Sequence, residues 1–430
     1  MMKSIAVAQI VGLMMFFAQG FVAAGIHHVD TIAELQVAVE SAQPGDVIII
    51  SDGRYNAVSV DLDAIGSKDE PITIKPVSPG GVVLSGKSRI KVSGKFIHLK
   101  DLVFRECVMD DQPLIDFDLS ENCHAENMTF ENCSGNRPVV QFRCGSKRNI
   151  ISDSKFLNIA GRSVHVQVNG TISEKGIPEY NVIRDNLFMD IPPLGENGRE
   201  TVKIGQNQPE FGHIKTYTLV EDNVFIRADG EAEIISNKAA SNTFRGNTFI
   251  DCQGELVMRG GHDCLIENNY FVGCSGGIRL SGTGHIVRSN TIVSSERTGI
   301  RLLYGMTRNQ GGHYQAVSDC VITDNTIIDA GQMGILIGDG RNRDWKEKGV
   351  QKFAPEKNRI TNNLVISDGE NYILIDQAPD NLIEKNTFYS HSPDLSKANK
   401  ADSVRFCSIE PLRLTGHNSH VGKYSMVGIQ

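Results

Sequence analysis

One short pattern recurs along most of this chain at a nearly constant spacing. An apolar run leads to an asparagine, which is followed by one residue and then by an apolar residue. The asparagines of this pattern are Asn186, Asn223, Asn247, Asn269, Asn290, Asn325, Asn363 and Asn386. The closest spacings are 24, 22, 21 and 23 residues, and gaps of 35 to 38 residues leave room for inserted loops. Repeats of this length indicate a solenoid, in which each unit packs on its neighbours.

The repeats consist of short β-forming runs broken by Gly, Asn and Asp, and long segments with helical periodicity are missing. This pattern favours a β-helix with three short strands in each coil. Asparagine at one fixed position has a physical reason, because it tolerates the left-handed backbone conformation and stacked amides can hydrogen-bond from coil to coil. The sequence therefore predicts an all-β fold, a single-stranded β-helix that forms one domain over residues 25–430.

A helix is predicted ahead of the repeats. Thr31–Glu34 has the pattern of a capping box, and Leu35, Val39 and Ala42 follow at helical spacing. A buried strand is predicted to begin at Val47. We expect this N-terminal helix to cap the open end of the solenoid, where unpaired strand edges would otherwise favour aggregation.

The first 24 residues have the features of a secretory signal peptide. Lys3 supplies a positive charge, Ile5–Phe17 is almost wholly apolar, and small residues precede an expected mature start near Gly25. The apolar run is short for a membrane span, and no later stretch is long enough to be one. We therefore expect a secreted or periplasmic protein with no membrane span, and an uncleaved anchor is the alternative.

The charge and the cysteine content exclude several classes of protein. A net charge of −8 disfavours nucleic-acid binding through a general basic field, so a polyanionic partner would need a local basic cleft. The nine cysteines include no CxxC pair, which disfavours a zinc or thioredoxin-type motif. Stacked core thiols and disulfides both remain open, and the odd number leaves at least one cysteine free or paired between chains.

Polar residues concentrate in three neighbouring coils, at residues 197–205, 230–238 and 254–262. Glu231 and Glu233 alternate along a predicted strand, so both carboxylates should face the same way, with Ala232 turned inward. Like charges held together on a sheet repel each other, and a hard cation with oxygen ligands relieves that repulsion. The two glutamates, together with an asparagine oxygen from the preceding coil, predict a Ca²⁺ site.

Two cationic side chains follow the acidic pair. Lys238 comes just beyond the carboxylates, and Arg259 follows it by 21 residues, about one coil, so the two should be stacked. A lone lysine or arginine is ordinarily a solvated surface charge. Their joint placement beside the paired carboxylates is what predicts a functional site.

The segment Gly230–Lys238, followed by Asn247–Phe249, Gly254 and Arg259, resembles polysaccharide lyase family 6, which contains alginate lyases and chondroitinase B. The resemblance extends from the N-terminal helix through the repeats and is most specific between residues 197 and 282. It implies a right-handed parallel β-helix that cleaves 4-linked uronic acids by β-elimination.

Carried over position by position, the resemblance implies that Asn197, Glu231 and Glu233 bind Ca²⁺. Lys238 would be the base that takes the C5 proton, and Arg259 the residue assigned as acid. Because a guanidinium group hardly ever loses its proton, we interpret Arg259 as a clamp on the carboxylate or the leaving oxygen. A Ca²⁺ ion would neutralise the uronate carboxylate and stabilise the charge that develops.

Candidate substrate-binding residues lie on the same coils. The run Gly276–Arg279 resembles the alginate lyase branch, in which an arginine at this place binds a uronate carboxylate, and a guanidinium group suits bidentate recognition. Lys203 and Arg301 are further candidates. The row of arginines fits alginate, which has a carboxylate on every sugar.

The sequence departs from the family pattern after the catalytic arginine. The family commonly has His directly after this Arg, whereas here Gly260 and Gly261 precede His262. His262 would then contact the substrate from a shifted position, or the contact would be lost. Ala239 likewise stands where a Ser often follows the catalytic Lys.

The sequence thus predicts a secreted, Ca²⁺-assisted polysaccharide lyase, with alginate as the first candidate substrate. The alternatives are a chondroitin or dermatan sulfate lyase of the same family, a uronan C5-epimerase that begins with the same proton abstraction, and a polysaccharide-binding β-helix without turnover. The preference for mannuronate or guluronate, endo or exo action, and the oligomeric state remain open.

Overall fold

The chain coils into three parallel β-sheets, which we name sheets A, B and C. The computed structural model describes residues 24–195, 197–206, 208–308, 314–367 and 372–389. Each full coil adds one strand to each sheet in the order A, B, C, and strands pair in parallel with those of neighbouring coils. The predicted parallel β-helix is therefore confirmed, and residues 1–23 and 390–430 lie outside the described residues, so the predictions of a signal peptide and a single domain stay predictions.

The strand bounds show how short each segment is. Sheet A consists of Ile26–Val29, Val47–Ile50, Ile72–Pro76, Ile97–Lys100, His124–Glu126, Ile150–Ser152, Val182–Arg184, Leu219–Glu221, Thr243–Arg245, Leu265–Glu267, Ile286–Arg288, Val321–Thr323, Arg359–Thr361 and Leu382–Glu384. Sheet B consists of Gly53–Asn56, Val82–Gly86, Val103–Cys107, Thr129–Glu131, Lys155–Leu157, Leu187–Ile191, Val224–Ala228, Thr248–Ile250, Tyr270–Val272, Thr291–Val293, Thr326–Ile328, Leu364–Ile366 and Thr387–Tyr389. Sheet C consists of Ser59–Leu62, Arg89–Val92, Ile115–Phe117, Val140–Phe142, Val164–Val166, Val202–Ile204, Glu233–Asn237, Glu255–Met258, Ile278–Leu280, Thr298–Leu303, Met333–Asp339 and Ile373–Ile375.

Helical segments are few among the residues that the structure describes. The N-terminal helix spans Ile32–Ser41, a second one-turn helix spans Ile172–Lys175, and 3₁₀ turns cover Pro209–Phe211 and Lys346–Lys348. In the described ranges, no helix is long and apolar enough to cross a membrane.

The N-terminal helix has the predicted cap. The Thr31 hydroxyl accepts a hydrogen bond from the Glu34 backbone N–H at 3.1 Å, and the Glu34 carboxylate accepts one from the Thr31 N–H at 3.2 Å. Leu35 and Val39 are buried, and the helix packs against the first strands of sheets A and C. The helix thereby covers the apolar end of the first coil, as predicted.

The repeated asparagines lie at the corner between sheets A and B and form a continuous amide ladder. From Asn186 to Asn386, each side-chain Nδ2 donates to Oδ1 of the next asparagine at 2.9 to 3.0 Å. The predicted left-handed conformation belongs to the residue before the ladder, such as Asp222 or Asn268, and not to the ladder asparagine. The preceding residue makes the turn, and the asparagine is left with its amide directed into the buried corner.

Aromatic rings form a second stack inside the helix. Phenylalanines of sheet B on successive coils stack with centroids 4.4 to 5.2 Å apart; they are Phe104, Phe130, Phe156, Phe188, Phe225, Phe249 and Phe271. Together with the amide ladder, this stack keeps successive coils in register. Outward side chains of sheet C therefore line up in rows that run along the solenoid axis.

The cysteines of the core are free thiols. All eight within the described residues are buried and unpaired by disulfides, among them Cys252 and Cys274 on neighbouring coils. Of the two alternatives left open by the sequence, buried core thiols are therefore present in the described coils and disulfides are not. Cys407 lies outside the described residues.

Candidate active site

Three glutamates from two successive coils meet beside sheet C. Glu200 lies at the end of the loop before Val202–Ile204, while Glu231 and Glu233 come from the following coil. One carboxylate oxygen from each lies within 4.8 Å of the others. Asn197 lines, with Glu231 and Glu233, one pocket of about 460 Å³. The three residues predicted to bind a metal are therefore brought together, and Glu200 joins them.

The path of the chain through the acidic pair differs from the simple alternation that the sequence suggests. The strand begins only at Glu233, and its pairing shifts between Glu233 and Ile235, which marks a bulge. Ala232 is exposed and does not turn inward, so that part of the prediction is wrong. The bend before the strand brings Glu231 back towards Glu233, and the carboxylates converge all the same.

Glu200 is a site residue that sequence reasoning missed. Its Oε1 lies 2.7 Å from Lys238 Nζ and 3.7 Å from Lys203 Nζ, and its Oε2 lies 3.1 Å from Arg162 Nη2. Burial alone would raise the pKa of Glu200, but the charges of Lys238, Lys203 and Arg162 outweigh burial and lower it. The carboxylate is therefore charged, and it joins the acidic cluster to the candidate base.

Glu231 and Glu233 differ in their surroundings. Glu231 accepts hydrogen bonds from the backbone N–H groups of Gly198 and Arg199, at 2.7 and 3.2 Å. Burial raises the pKa of Glu231, and the carboxylates of Glu200 and Glu233 raise it further. For Glu233, burial also acts to raise the pKa, but cationic neighbours outweigh it and the pKa is lowered. The raised pKa of Glu231 thus comes first from burial and then from the two neighbouring carboxylates.

Lys238 and Arg259 are stacked on adjacent coils, as their 21-residue spacing predicted. Asn237 pairs with Met258 across the two strands, and Lys238 and Arg259 are the residues that follow. The side chains are 3% and 9% exposed, so the two cations are almost enclosed. Arg259 Nη1 lies 3.1 Å from Oε1 of Glu233. Each predicted catalytic residue thus contacts one carboxylate of the acidic cluster.

Arg279 and Arg301 are register partners on the next two strands of sheet C, in the row that also contains Lys203 and Val257, and Arg259 lies two residues beyond Val257. Arg279 Nη2 is bonded to Oε1 of Glu233, and its Nη1 lies 3.7 Å from Glu255. Arg301 donates to both oxygens of Glu255, at 2.9 and 2.5 Å, and to Asp339 at 2.7 Å. Glu255, which sequence reasoning also missed, is 1% exposed and holds both arginines. The Arg301 guanidinium is therefore already paired with two protein carboxylates, those of Glu255 and Asp339.

Lys203 and His262 occupy different environments. Lys203 lies in the cluster, where burial, followed by the charge on Lys238, lowers its pKa to about 8. His262 is 2% exposed, and its Nδ1 accepts a hydrogen bond from the Thr283 backbone N–H at 3.3 Å. Burial lowers the pKa of His262. Lys203 is therefore placed beside the catalytic candidates, whereas His262 lies beneath the surface one coil away.

The chain matches known proteins over nearly its whole length. The family model described as Chondroitinase B matches residues 29–404. The chain belongs to this family. It is a family 6 polysaccharide lyase, and its structural neighbours include proteins labelled PL6. No curated protein sequence matches the chain significantly.

Three solved structures illustrate the likeness of this family 6 lyase to other proteins. A mannuronic acid specific family 6 lyase from human gut microbiota has a TM-score of 0.79 at 24% identity, covering 90% of this chain and 92% of that one. A PL6 family lyase from Pseudopedobacter saltans has a TM-score of 0.74 at 27% identity, covering 89% and 97%. The PL6 family alginate lyase AlyGC has a TM-score of 0.79 at 26% identity, and this chain covers 53% of its length.

The acidic cluster of this family 6 lyase fits a divalent cation. Glu200, Glu231 and Glu233 supply carboxylate oxygens, and Asn197 adds an amide oxygen to the same pocket. These are the hard oxygen donors that Ca²⁺ prefers. Glu200 and Glu233 lie close enough to Glu231 for the like charges to repel each other, and a cation held among the three carboxylates would relieve that repulsion.

An aromatic stack over Arg259 is a further part of the candidate site that the sequence did not reveal. The Arg259 guanidinium carbon lies 5.2 Å from the centre of the Tyr314 ring, and the Trp345 ring stacks on Tyr314 with centroids 4.9 Å apart. Arg343 lies over Trp345 at 5.9 Å. Tyr314 and Trp345 come from two loops inserted after successive strands of sheet C. Such loops carry no repeat, and therefore no sequence period places them near Arg259.

Proposed function

We propose that this lyase degrades alginate by Ca²⁺-assisted β-elimination. The observation that carries the proposal is the contact of both catalytic candidates with the acidic cluster: Lys238 with Glu200, and Arg259 with Glu233. A base and a cationic clamp held around hard oxygen donors suit a reaction in which a proton next to a carboxylate is removed. The neighbour AlyGC, an alginate lyase by name, supports alginate as the substrate.

The reaction divides among the chain's own residues as follows. Lys238 Nζ in its neutral form takes the C5 proton of the uronate, the electron pair forms the C4–C5 double bond, and the bond from C4 to the glycosidic oxygen breaks. Arg259 donates hydrogen bonds to the uronate carboxylate or to the leaving oxygen, which receives its proton from water or from Lys238. Asn197, Glu200, Glu231 and Glu233 would hold Ca²⁺. When bound, Ca²⁺ supplies charge neutralisation at the uronate carboxylate.

The enclosure of the site favours this chemistry. Lys238 and Arg259 are almost fully buried, so their interactions with a bound sugar are weakly screened by water. Glu200 fixes the position of the Lys238 amine and Glu233 fixes that of the Arg259 guanidinium. The two groups are thus positioned before the substrate binds, which reduces the reorganisation needed in the transition state.

Substrate selection is assigned to cations along the outward row of sheet C. Arg279 lies between two carboxylates, Glu233 and Glu255, and is the arginine nearest the cluster along that row. We propose that it binds the carboxylate of a neighbouring uronate, with Lys203 on the opposite side of the cluster. The Chondroitinase B description of the family favours dermatan or chondroitin sulfate as the second candidate substrate. For the compartment we propose secretion or the periplasm, on the basis of residues 1–24.

The test follows the ultraviolet absorbance of newly formed unsaturated uronate ends. Purified wild type, Lys238→Ala and Lys155→Ala are incubated with alginate and with dermatan sulfate, with Ca²⁺ or with chelator. Lys155 is an exposed lysine on sheet B and serves as the matched control. We expect absorbance to rise on alginate with wild type and Lys155→Ala, and to be lost with Lys238→Ala and with chelator.

The other outcomes separate the alternatives. A rise on dermatan sulfate alone would keep the mechanism and replace the substrate. Folded wild type that changes the mannuronate to guluronate ratio without producing unsaturated ends would be an epimerase. Binding to alginate without either change would identify a polysaccharide-binding protein and overturn the proposal.

A further inference from the structure

Two histidines and a glutamate form a second cluster, on sheet A. His98 and His124 are register partners on neighbouring coils, and Glu126 follows His124 by two residues on the same face of the sheet. One ligand atom of each residue lies within 4.8 Å of the others. The side chains of His98 and Glu126 are 24% and 27% exposed, so an ion can reach them from solvent.

We propose that His98, His124 and Glu126 bind a divalent transition-metal ion, of which Zn²⁺ is the representative. Two imidazoles and one carboxylate are the donor set that suits Zn²⁺, Ni²⁺ or Cu²⁺, whereas Ca²⁺ prefers oxygen donors alone. The site is therefore chemically distinct from the all-oxygen cluster around Glu231. It goes beyond the proposed lyase function and does not depend on it.

The existing hydrogen bonds show which groups the two ring nitrogens contact before an ion binds. His98 Nε2 lies 2.6 Å from Glu126 Oε2, and His124 Nε2 lies 2.8 Å from Ser152 Oγ. An ion beside Glu126 would replace the proton now shared between His98 and the carboxylate. The Ser152 hydroxyl lies next to the second imidazole, where it can orient a water molecule on the ion.

The rings must tilt to coordinate one ion. They are stacked with centroids 4.7 Å apart and planes 6° from parallel. A Zn–N bond of about 2.0–2.1 Å requires the two Nε2 atoms to turn towards each other. This adjustment involves partly exposed side chains on a fixed backbone register, so the coils themselves need not move.

Lys100 is the internal competitor for this site. Its ammonium lies 3.1 Å from Glu126 Oε2, the oxygen that His98 also contacts. A metal ion must displace that ammonium or share the carboxylate with it. Removal of the Lys100 charge should therefore strengthen metal binding, a gain that adventitious surface binding would not show.

The experiment is isothermal titration of Zn²⁺ into the full chain, purified without a histidine tag, in buffer with saturating Ca²⁺ to occupy oxygen-donor sites. The variants are His124→Asn, Glu126→Gln and Lys100→Gln, and the control is His28→Asn, an exposed histidine at the N-terminal end of sheet A. Titration with Co²⁺, followed by its visible absorption, reports nitrogen ligands directly. Circular dichroism establishes that each variant is folded.

We expect one Zn²⁺ per wild-type chain, at least a tenfold loss of affinity in His124→Asn and Glu126→Gln, a gain of several fold in Lys100→Gln, and no change in His28→Asn. Unchanged affinity in His124→Asn would overturn the proposal. So would a Co²⁺ spectrum that is the same in wild type and His124→Asn. Because lyase activity is not measured, these outcomes are independent of the proposed catalytic function.

Discussion

The ammonium nitrogen of Lys238 lies 2.7 Å from Oε1 of Glu200, a residue 38 positions earlier in the chain and one coil away. This pair connects the candidate base to the acidic cluster. The contact is buried on both sides, with exposed fractions of 3% and 1%, so solvent screens it little. Glu200 can therefore both bind a cation and position Lys238.

Glu200→Gln removes the negative charge of this pair and nearly preserves its shape. We expect turnover to fall about 100-fold and the Ca²⁺ concentration for half-maximal activity to rise about tenfold, as for lost ligands and their supporting groups. Glu267→Gln is the control, because Glu267 is also a buried glutamate paired with a cation, Arg288, but lies on sheet A. Equal activity of the two variants would contradict a role for Glu200.

Tyr314→Ala removes the ring that stacks on Arg259. A cation–π contact of this kind contributes about 1–2 kcal/mol when partly desolvated, so we expect the turnover number to fall about 5- to 30-fold. Tyr314→Phe keeps the ring and should retain nearly full activity. The fluorescence of Trp345, the one Trp of the chain, reports whether the loops still stack. Full activity in Tyr314→Ala with altered fluorescence would show that the stack does not position Arg259.

Glu255→Gln leaves two arginines without their shared carboxylate. Because Glu255 is 1% exposed and binds Arg301 through both oxygens, we expect the free energy of unfolding to fall by about 3 kcal/mol. Glu221→Gln, which breaks a more exposed pair with Arg245, should cost less than about 1 kcal/mol. Urea unfolding of the two variants measures the difference. A similar small loss in both would show that the Glu255 pair adds little.

The buried His285 predicts a loss of stability in acid. Its Nδ1 accepts from the Cys264 N–H at 3.3 Å and its Nε2 lies 3.1 Å from the Ser281 carbonyl, so the neutral ring satisfies both contacts. Burial lowers its pKa to about 4, whereas an unfolded histidine has a pKa of about 6.5. As the pH falls from 6.5 towards 4, the unfolded chain takes up the proton first, and stability that is complete above 6.5 is lost.

The expected loss from this one group is at most about 3 kcal/mol. Urea midpoints measured from pH 7 to pH 4 should fall less steeply in His285→Gln than in the wild type. Parallel curves for the two proteins would contradict the role given to His285.

The amide ladder predicts unequal effects at two adjacent asparagines. Asn269 is buried and its side chain bonds to Asn247, Asn290 and the Phe244 carbonyl, so Asn269→Ala should reduce the free energy of unfolding by about 3 kcal/mol or more. Asn268 is exposed with a φ of 55°, and Asn268→Ala should cost only about 1 kcal/mol. Denaturant unfolding compares them, and equal losses would contradict the ladder as a source of stability.

The sequence alone determined the features that depend on local pattern and on the length of one coil. The asparagine spacing predicted the β-helix and its amide ladder, and the Thr31–Glu34 pattern predicted the helix cap. The 21-residue separation predicted that Lys238 and Arg259 are stacked. These features could be predicted because, in a parallel β-helix, residues that are one sequence period apart become neighbours on adjacent coils.

Two local details were nevertheless wrong. Ala232 is exposed because the strand begins only at Glu233 and carries a bulge, which alternation alone does not predict. The residue with the left-handed backbone conformation precedes the ladder asparagine at each corner. One residue makes the turn, and the next one directs its amide inward. Both errors are shifts by one residue, which a pattern of apolar and polar positions does not resolve.

Only the tertiary structure decided which groups complete the site. Glu200 reaches Lys238 across an inserted loop, Glu255 bonds to Arg301 two coils away, and Tyr314 stacks on Arg259 from a loop outside the repeat. The lengths of these insertions vary, so sequence separation no longer measures distance along the axis. Charged groups interact when they are close in space. The ion pairs around Lys238 and Arg259 could therefore be identified only from the fold and not from the sequence.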